Sequence, residues 1–314
     1  MKSATPPRIC VLGSINQDLV IYTPRFPNPG ETLLGGPFES FPGGKGANQA
    51  VAAARLGANV DFLGCVGDDD GGHMMREVFA EAGVNADAVK TCPHHHTGVG
   101  VITVSPEGEN HIVVASGANM EMDAAWVDEH AHTIRAADAL LLQLEISLEA
   151  NQRAVQIAND ANVPVILNAA PAHSLPDEFL SGLHTLIVNQ HEFEILGSPP
   201  VPRLIVTYGK EGAVCIDTMP DGTVKKTCQA SYPVNPVDTT AAGDAFCAAA
   251  AVASLQSPVA SEFLSWGTAA GALACTIVGA IPALPSLEQV TALRASGDKS
   301  QSTKDGSESV GKLL

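Results

Sequence analysis

The stretch KGANQAVAAARLGANVDFLGCVG, residues 45–67, contains the unit that decides the fold. Its first half, through Leu56, is rich in helix-forming residues with small side chains on one face, and Gly57 marks the end of that helix. Its second half, NVDFLGCVG, is the apolar run of a buried strand. A helix that leads through a glycine into a buried strand is typical of a βαβ crossover and therefore indicates a parallel sheet.

The same alternation continues on both sides of this unit. Residues 8–13, RICVLG, form an apolar run that ends in glycine, as expected for a buried strand that feeds a loop. Further strand-like runs, several separated by helical segments, lie at 139–145, 163–170, 184–190, 203–209 and 212–218. The pattern predicts an α/β protein with a central, mostly parallel sheet, whose ligands gather at the carboxyl ends of the strands.

Short alternating segments with glycine and proline punctuation interrupt this pattern. They lie within about 17–42 and 97–117 and predict short strands and a hairpin, which we interpret as a small β-sheet lid over one edge of the main domain. The main domain spans 1–295, and the polar, aperiodic segment 296–314 is predicted to be a disordered tail.

Composition limits the ligands that the protein can bind. The chain of 314 residues carries 34 acidic and 17 basic side chains, a formal charge of -17, which repels nucleic acids and anionic membranes. A neutral sugar together with metal-bound ATP fits this charge, since the metal offsets the charge of the phosphates.

The cysteines and the hydropathy pattern indicate a compartment. The 7 cysteines are scattered, without a CxxC pair or the spacing of a zinc site, and are expected to be reduced thiols. The N-terminus lacks the pattern of a signal peptide, and the alanine-rich runs are too short to span a bilayer. We therefore expect a soluble, cytoplasmic protein.

The stretch VDTTAAGDAFCAAAAVASL, residues 237–255, carries most of the expected chemistry. Small residues at Ala241, Ala242 and Gly243 leave the backbone open, and the free N–H groups at the start of the following helix suit a phosphate oxyanion. Asp244 follows in the same turn, where a carboxylate can accept the proton of an attacking hydroxyl. Taken alone, an aspartate that follows glycine and precedes an alanine run is more often only a helix cap.

Two further motifs contain residues suited to binding hydroxyl groups. In PGGKGAN, residues 42–48, glycines allow close approach of the backbone, and Asn48 can both donate to and accept from a polyhydroxy ligand. In GSINQD, residues 13–18, Asn16 and Asp18 are two apart, so on an extended segment they project from the same face. Each motif alone is also consistent with ordinary turn chemistry.

Taken together, GSINQD, GGKGANQA and DTTAAGDAF occur in the order and spacing of the ribokinase family of PfkB carbohydrate kinases, which the chain resembles from about residue 8 to 290. The resemblance implies a three-layer α/β/α sandwich with a β lid, and ATP-dependent phosphorylation of D-ribose at its primary hydroxyl. It implies Asp244 as general base and the amides of Ala241, Ala242 and Gly243 as anion hole. The sugar-binding residues that it implies are Asn16, Asp18, Gly44, Lys45, Asn48, Gly100, Ile102 and Glu145.

The resemblance also assigns nucleotide and metal positions. The nucleotide-binding residues that it implies are Asn189, Thr207, Gly209, Gly212 and Thr268. Glu192, in the NxxE motif, is implied in Mg²⁺ placement, and an activating K⁺ would lie at Asp238, Thr240, Ala274, Ile277 and Gly279. Ala283 stands where the family often has a serine, which weakens the expected K⁺ site. The family commonly forms homodimers through the lid.

One departure from the family pattern leaves alternatives open. Between the NxxE motif and the strand at 203–209 only ILGSPPVPR intervenes, so a crossover helix is expected to be missing there. The alternatives are a kinase for another pentose, a deoxypentose, a ketose or a nucleoside, or a sugar-binding homologue with impaired catalysis. A dinucleotide oxidoreductase is disfavoured because no GxGxxG motif follows the first strand.

Overall fold

Two sheets and ten helices form in the part of the chain that the computed structural model describes, residues 5–106, 109–197 and 199–297. The strands in chain order are β1 (Arg8–Leu12), β2 (Asn16–Tyr22), β3 (Phe38–Gly43), β4 (Asn59–Gly67), β5 (Val89–Cys92), β6 (Gly98–Val104), β7 (Asn110–Ala115), β8 (Ala139–Leu142), β9 (Val165–Asn168), β10 (Thr185–Asn189), β11 (Arg203–Thr207), β12 (Ala213–Thr218) and β13 (Val224–Gln229). The helices are α1 (Lys45–Arg55), α2 (Asp70–Ala82), α3 (Ala124–Glu129), α4 (Ala131–Arg135), α5 (Leu148–Asp160), α6 (Asp177–Ser181), α7 (Gln190–Leu196), α8 (Ala242–Gln256), α9 (Ala260–Ala274) and α10 (Leu287–Gly297).

The large sheet has the strand order β13-β12-β11-β10-β9-β8-β1-β4-β5. Its strands from β5 to β11 are parallel, whereas β12 pairs antiparallel with both of its neighbours. The run at 212–218 thus departs from the parallel arrangement that the alternation predicts. The physical reason is loop length, because only a short turn that includes Gly209–Glu211 joins β11 to β12, and a parallel connection needs a longer crossover.

Helices cover both faces of the large sheet. On β1, Ile9 and Val11 pack into one hydrophobic cluster with α1, α8 and α9, while Cys10 and Leu12 pack into a second cluster with α3, α4 and α5. Successive side chains of a strand point to opposite faces, so a strand buried on both sides reads as one continuous apolar run. The α/β fold with three layers is confirmed.

The small sheet has the order β3-β2-β6-β7, in which β2 and β6 are parallel and the other two pairs are antiparallel. Strand β2 begins four residues after β1 ends, and β3 runs directly into α1. The small sheet is therefore attached at the carboxyl end of β1, the edge where the sequence predicts ligands to bind.

The crossover between β10 and β11 is short, as the sequence indicates. Only α7 connects these parallel strands, and its seven residues include none that is fully buried. The predicted disordered tail, apart from Ser296 and Gly297 at the end of α10, lies outside the described residues. Across the described ranges no helix has both the length and the apolar character that crossing a membrane requires.

Candidate active site

Asp244 lies in the first turn of α8 and is 6% exposed. The preceding N-cap residue, Ala241, has φ 57°, a left-handed conformation that non-glycine residues adopt rarely and at a cost in energy. Asn48 Nδ2 donates to Asp244 Oδ2 at 2.9 Å, and Gln49 Nε2 donates to Asp244 Oδ1 at 2.9 Å. Since each oxygen accepts one of these bonds, each retains a lone pair for a further donor.

The charge state of Asp244 is set by opposing effects. Burial raises the pKa of Asp244, whereas the positive charge of Lys45 and the hydrogen bonds from Gln49 and Asn48 act in the opposite direction. Burial would lower the pKa of Lys45, but its acidic neighbours Asp244, Glu145 and Glu192 outweigh this effect and raise it. Lys45 is therefore a cation at neutral pH and favours an ionised Asp244.

Glu145 joins the start of α1 to the end of β8. Its Oε2 accepts from Ser14 Oγ at 2.6 Å and from the backbone N–H of Lys45 at 3.1 Å. Ser14 Oγ in turn accepts from the N–H of Gly46 at 3.2 Å. Gly44, with φ 94°, lies so close to the backbone of Asn16 that a Cβ there would be 2.7 Å from the Asn16 nitrogen, so the turn requires glycine.

Asn16 and Asp18 lie on β2, and Gly100 and Ile102 lie opposite this strand on β6. A Cβ at Gly100 would be 2.5 Å from Asp18 Oδ1, and one at Gly43 would overlap Asp18 Oδ2, so the two glycines leave a slot for this carboxylate. Burial raises the pKa of Asp18 to about 7, and the negative charges of Glu145 and Asp244 add to the shift. Residues from all three motifs thus lie within electrostatic reach of one another.

A cavity adjoins the site residues around Asp244 on the side of α8. Its volume is about 670 Å³, within the range of roughly 300–1,000 Å³ that is usual for small-molecule sites. The predicted nucleotide residues in its lining are Thr207, Gly209, Gly212 and Thr268. Ala242 and Gly243 of the predicted anion hole also line it, so the cavity extends to the first turn that carries Asp244.

Two predicted residues of the NxxE motif form a helix cap. Asn189 Oδ1 accepts from the N–H of Glu192 at 2.8 Å, and Glu192 Oε2 accepts from the N–H of Asn189 at 2.7 Å. Asn189 pairs with Thr207 across β10 and β11 but is not among the residues that line the cavity. Burial raises the pKa of Glu192, although Lys45 and the bond from Asn189 counteract the shift.

The predicted cation residues come from the loop before α8 and the loop after α9. Asp238 Oδ1 accepts from the N–H and Oγ1 of Thr240, and Asp238 Oδ2 accepts from the N–H of Gly279 at 2.8 Å. Burial opposes ionisation of Asp238, yet these bonds keep its pKa below the usual value. Ala274 is the last residue of α9, Ile277 is exposed, and Ala283 is buried in the turn Ile281–Ala283.

Sequence reasoning missed several polar residues that hold this site together. Asn119 Oδ1 accepts from the N–H of Ile15, and Asn119 Nδ2 donates to Ile15 O and Asn16 Oδ1. Gln49 and Asn168, which are also buried, share a hydrogen bond of 3.0 Å. Gln49 could have been found, because it lies within the GGKGANQA motif, whereas nothing in the local sequence singles out Asn119 or Asn168.

Comparison with known proteins identifies similar chains. Residues 6–287 match the model of the pfkB family carbohydrate kinase. Ribokinase from Haemophilus influenzae is 38% identical over 299 residues, which cover 90% of this chain and 96% of the relative. Ribokinase from Bacillus subtilis is 37% identical over 295 residues, covering 91% and 98%.

A solved structure shows the same fold. The structure of Arabidopsis thaliana ribokinase complexed with ribose and ATP is similar to this chain with a TM-score of 0.83 and 31% identity, covering 92% of this chain and 99% of the other. The family match over nearly all of the described chain, together with these similarities, shows that the chain belongs to the pfkB family of carbohydrate kinases.

Proposed function

We propose that the protein is a ribokinase, which transfers the γ-phosphoryl group of ATP to the primary hydroxyl of D-ribose and forms D-ribose 5-phosphate and ADP. The observation that carries the proposal is the position of Asp244. It lies at the start of the helix whose residues Ala242 and Gly243 line the nucleotide cavity, and its carboxylate is held by Asn48 from the GGKGANQA motif. A hydroxyl that contacts Asp244 is thereby placed beside a terminal phosphate.

The reaction needs one proton acceptor and a site for negative charge. As the hydroxyl oxygen attacks phosphorus, its proton moves to Asp244 and the bond from phosphorus to the ADP oxygen breaks. The N–H groups of Ala241, Ala242 and Gly243 face the charge on the phosphoryl oxygens. Ala242 N–H also makes a turn bond of 3.3 Å to Thr239 O, which a phosphate can replace.

The sugar site supplies acceptors on one side and a cation on the other. Asp18, Glu145 and Asn16 offer oxygen atoms to the ring hydroxyls, and Lys45 and Asn48 offer donors. The Oδ1 atom of Asn48 is buried without a hydrogen-bond partner among the described residues, which suits a sugar hydroxyl as donor. Gly44 lets the backbone approach the ring, and Gly100 and Ile102 of β6 cover it.

Two metal ions complete the proposal. Glu192 would hold Mg²⁺ through water, because its Oε1 is not used by the helix cap, and the ion would neutralise charge on the phosphates. For K⁺, the site would combine the ionised Asp238, the hydroxyl of Thr240 and backbone carbonyls of Ala274, Ile277 and Gly279. Oxygen donors of this kind suit a hard monovalent cation, and Asp238 makes no ion pair with a basic side chain among the residues described here.

The assembly and compartment are also proposals. Ile112 and Val114 of β7 lie on one face of the small sheet and are 54% and 44% exposed, and β7 is an edge strand, so a second copy of the chain could cover this face in a homodimer. All seven cysteines carry free thiols, which supports a reducing cytoplasm.

The decisive experiment measures ADP release with ribose, 2-deoxyribose, fructose and adenosine, with Mg²⁺ and with K⁺ or Na⁺ as the monovalent cation. We expect ribose to give the highest kcat/KM and K⁺ to give the higher rate. Sugar-dependent thermal stabilisation without ADP release would instead identify a binding protein.

The base assignment is tested with Asp244→Asn. Because the amide cannot accept the proton, kcat should fall by about two to four orders of magnitude, while ATP still stabilises the fold. Asp70→Asn is the matched control, since Asp70 also lies in the first turn of a helix but is exposed. Near-normal turnover by Asp244→Asn would show that Asp244 is not the base.

A further inference from the structure

Two buried amide side chains, Asn48 and Gln49, bond to Asp244, and Gln49 is bonded in turn to two further buried amides, Asn168 and Gln143, in a chain of hydrogen bonds. Gln49 Nε2 donates both to Asp244 Oδ1 at 2.9 Å and to Asn168 Oδ1 at 3.0 Å. Gln49 Oε1 accepts from Gln143 Nε2 at 2.7 Å. Gln49 and Gln143 are fully buried, and Asn168 is 8% exposed, so water does not compete for these bonds.

The direction of this chain is fixed at its far end. Asn168 Nδ2 donates to the backbone carbonyl of Ile187 at 3.3 Å, and a carbonyl can only accept. Asn168 must therefore present its oxygen to Gln49, and Gln49 must present its nitrogen to Asn168. The second N–H of the same Gln49 nitrogen then points to Asp244.

At the other end, Gln143 bonds only through its nitrogen, because Gln143 Oε1 is buried without a hydrogen-bond partner among the described residues, so this end follows the direction that Asn168 sets. Gln143 Nε2 requires an acceptor, which is Gln49 Oε1. Gln143 Oε1 lies against Gly13, where a Cβ would overlap it, so a larger residue at position 13 would displace this amide. If the Gln49 amide turned over, its oxygen would face both the carboxylate of Asp244 and the oxygen of Asn168, and both contacts would be repulsive.

We propose that Gln49 is a positioning residue for the reaction, held in one orientation by Asn168 and Gln143 so that Asp244 always receives an N–H and remains an ionised proton acceptor. This inference rests on the proposed role of Asp244 as base and adds the residues that keep it competent. Asn48 holds the other oxygen of Asp244, but it belongs to the sugar site, whereas Gln49 and Gln143 are not among the residues expected to touch a substrate.

The charged surroundings of Asp244 do not by themselves keep it ionised. Burial opposes ionisation of Asp244 most strongly, and Lys45 from α1 favours the carboxylate. The negative charges of Glu145 after β8, Asp18 from β2 and Glu192 from α7 oppose it, whereas Cys247 on α8 stays a neutral thiol because burial raises its pKa. Within this acidic group, an N–H donated by a buried amide stabilises the carboxylate without adding a further charge.

The test uses Gln143, because it contacts neither Asp244 nor the nucleotide cavity. Gln143→Met keeps the size of the side chain but removes the donor to Gln49 Oε1. We expect kcat to fall about tenfold and the acid limb of the kcat/KM profile to move up by about one pH unit, since a hydrogen bond to the carboxylate is weakened. The KM values for ribose and ATP should change much less than kcat.

Gln143→Glu tests the direction of the chain. A protonated carboxyl group can still donate to Gln49 Oε1, whereas an ionised one only accepts and turns the Gln49 amide over. This variant should therefore be nearly as active as the unchanged enzyme at low pH and lose activity as pH rises. Neither the unchanged enzyme nor Gln143→Met should show this alkaline descent.

Asn151→Leu is the matched control for loss of stability. Asn151 is fully buried and donates to the backbone carbonyl of Gln143 at 2.8 Å. It makes no hydrogen bond to the side chains of Gln49, Gln143 or Asn168. The Asn151→Leu variant should lower the Tm without moving the kcat/KM profile against pH. Thermal unfolding measured at each pH separates loss of activity from loss of the fold. If Gln143→Glu unfolds at high pH, the kcat and the pH profile of Gln143→Met decide whether Gln49 positions Asp244.

The outcomes distinguish the two proposals. Unchanged pH profiles in both Gln143 variants, or the same shift in Asn151→Leu, would show that these amides serve stability alone. Turnover retained by Asp244→Asn would overturn the base assignment itself, whatever the Gln143 variants do.

Discussion

Asp18 illustrates at the level of one residue how binding and stability conflict in this site. Its carboxylate fits between Gly43 and Gly100, close to the charges of Glu145 and Asp244. The ordinary pKa of an aspartate is about 3.9, whereas burial and these neighbours raise the pKa of Asp18 to about 7. Between these two values the folded protein binds more protons than the unfolded chain, so this group favours folding less as pH rises from about 4 to about 7.

Asp18→Asn should therefore make the free protein more stable. Removing the buried charge is expected to raise the free energy of unfolding at pH 8 by on the order of 1–3 kcal/mol, and the gain should vanish below about pH 3, where the carboxyl is protonated in both states. Ribose affinity should fall at the same time, because an acceptor is lost. Thermal unfolding at both pH values and ribose titration would check this, and a variant less stable than the parent at pH 8 would contradict it.

Helix α8 and its neighbour α9 show how an element made of small residues positions the site. Residues 245–253 of α8 are all buried, and most of them are alanine, which allows α9 to lie close to α8. Gly267 of α9 faces Phe246, whose ring lines the nucleotide cavity. The packing of two helices is thus coupled to the wall of a ligand site.

Gly267→Ala separates helix propensity from packing. Alanine favours a helix by about 1 kcal/mol over glycine, but its Cβ would lie 2.8 Å from Phe246 Cε2. We expect the ring to move into the cavity and the KM for ATP to rise about tenfold, with the KM for ribose unchanged. Ser261→Ala, at an exposed position of α9, is the control for propensity. Equal effects on both KM values would argue against this coupling.

For the whole molecule, the small sheet is the part whose surface is least explained by the single chain. Ile102 pairs with Ile112, and Gly100 pairs with both Asp18 and Val114, so these side chains share the face that carries Asp18. Ile112 is nevertheless 54% exposed. A homodimer in which a second copy covers this face would complete the enclosure of the sugar site.

Ile112→Asp tests this arrangement. A charge on the Asp18 face should raise the Kd of the homodimer at least about tenfold, because burying an unpaired carboxylate is unfavourable. Val113→Asp places the same charge on the opposite face and should leave the dimer intact. Sedimentation velocity over a range of concentrations measures both, and dissociation by Val113→Asp alone would place the interface on the outer face.

The sequence alone was sufficient for the fold class and for the three motifs, because strand and helix periodicity and glycine-rich turns are local properties of the chain. The short crossover between β10 and β11 could also be expected, since ILGSPPVPR has too few residues for a longer helix, although α7 itself forms where a helix was expected to be missing. Only the tertiary structure showed that β12 turns back antiparallel, and that Asn168, 76 positions before Asp244, reaches it through Gln49. Hydrogen bonds between buried side chains from distant segments depend on how the strands and helices are placed in space, and the pattern of neighbouring residues does not record that placement.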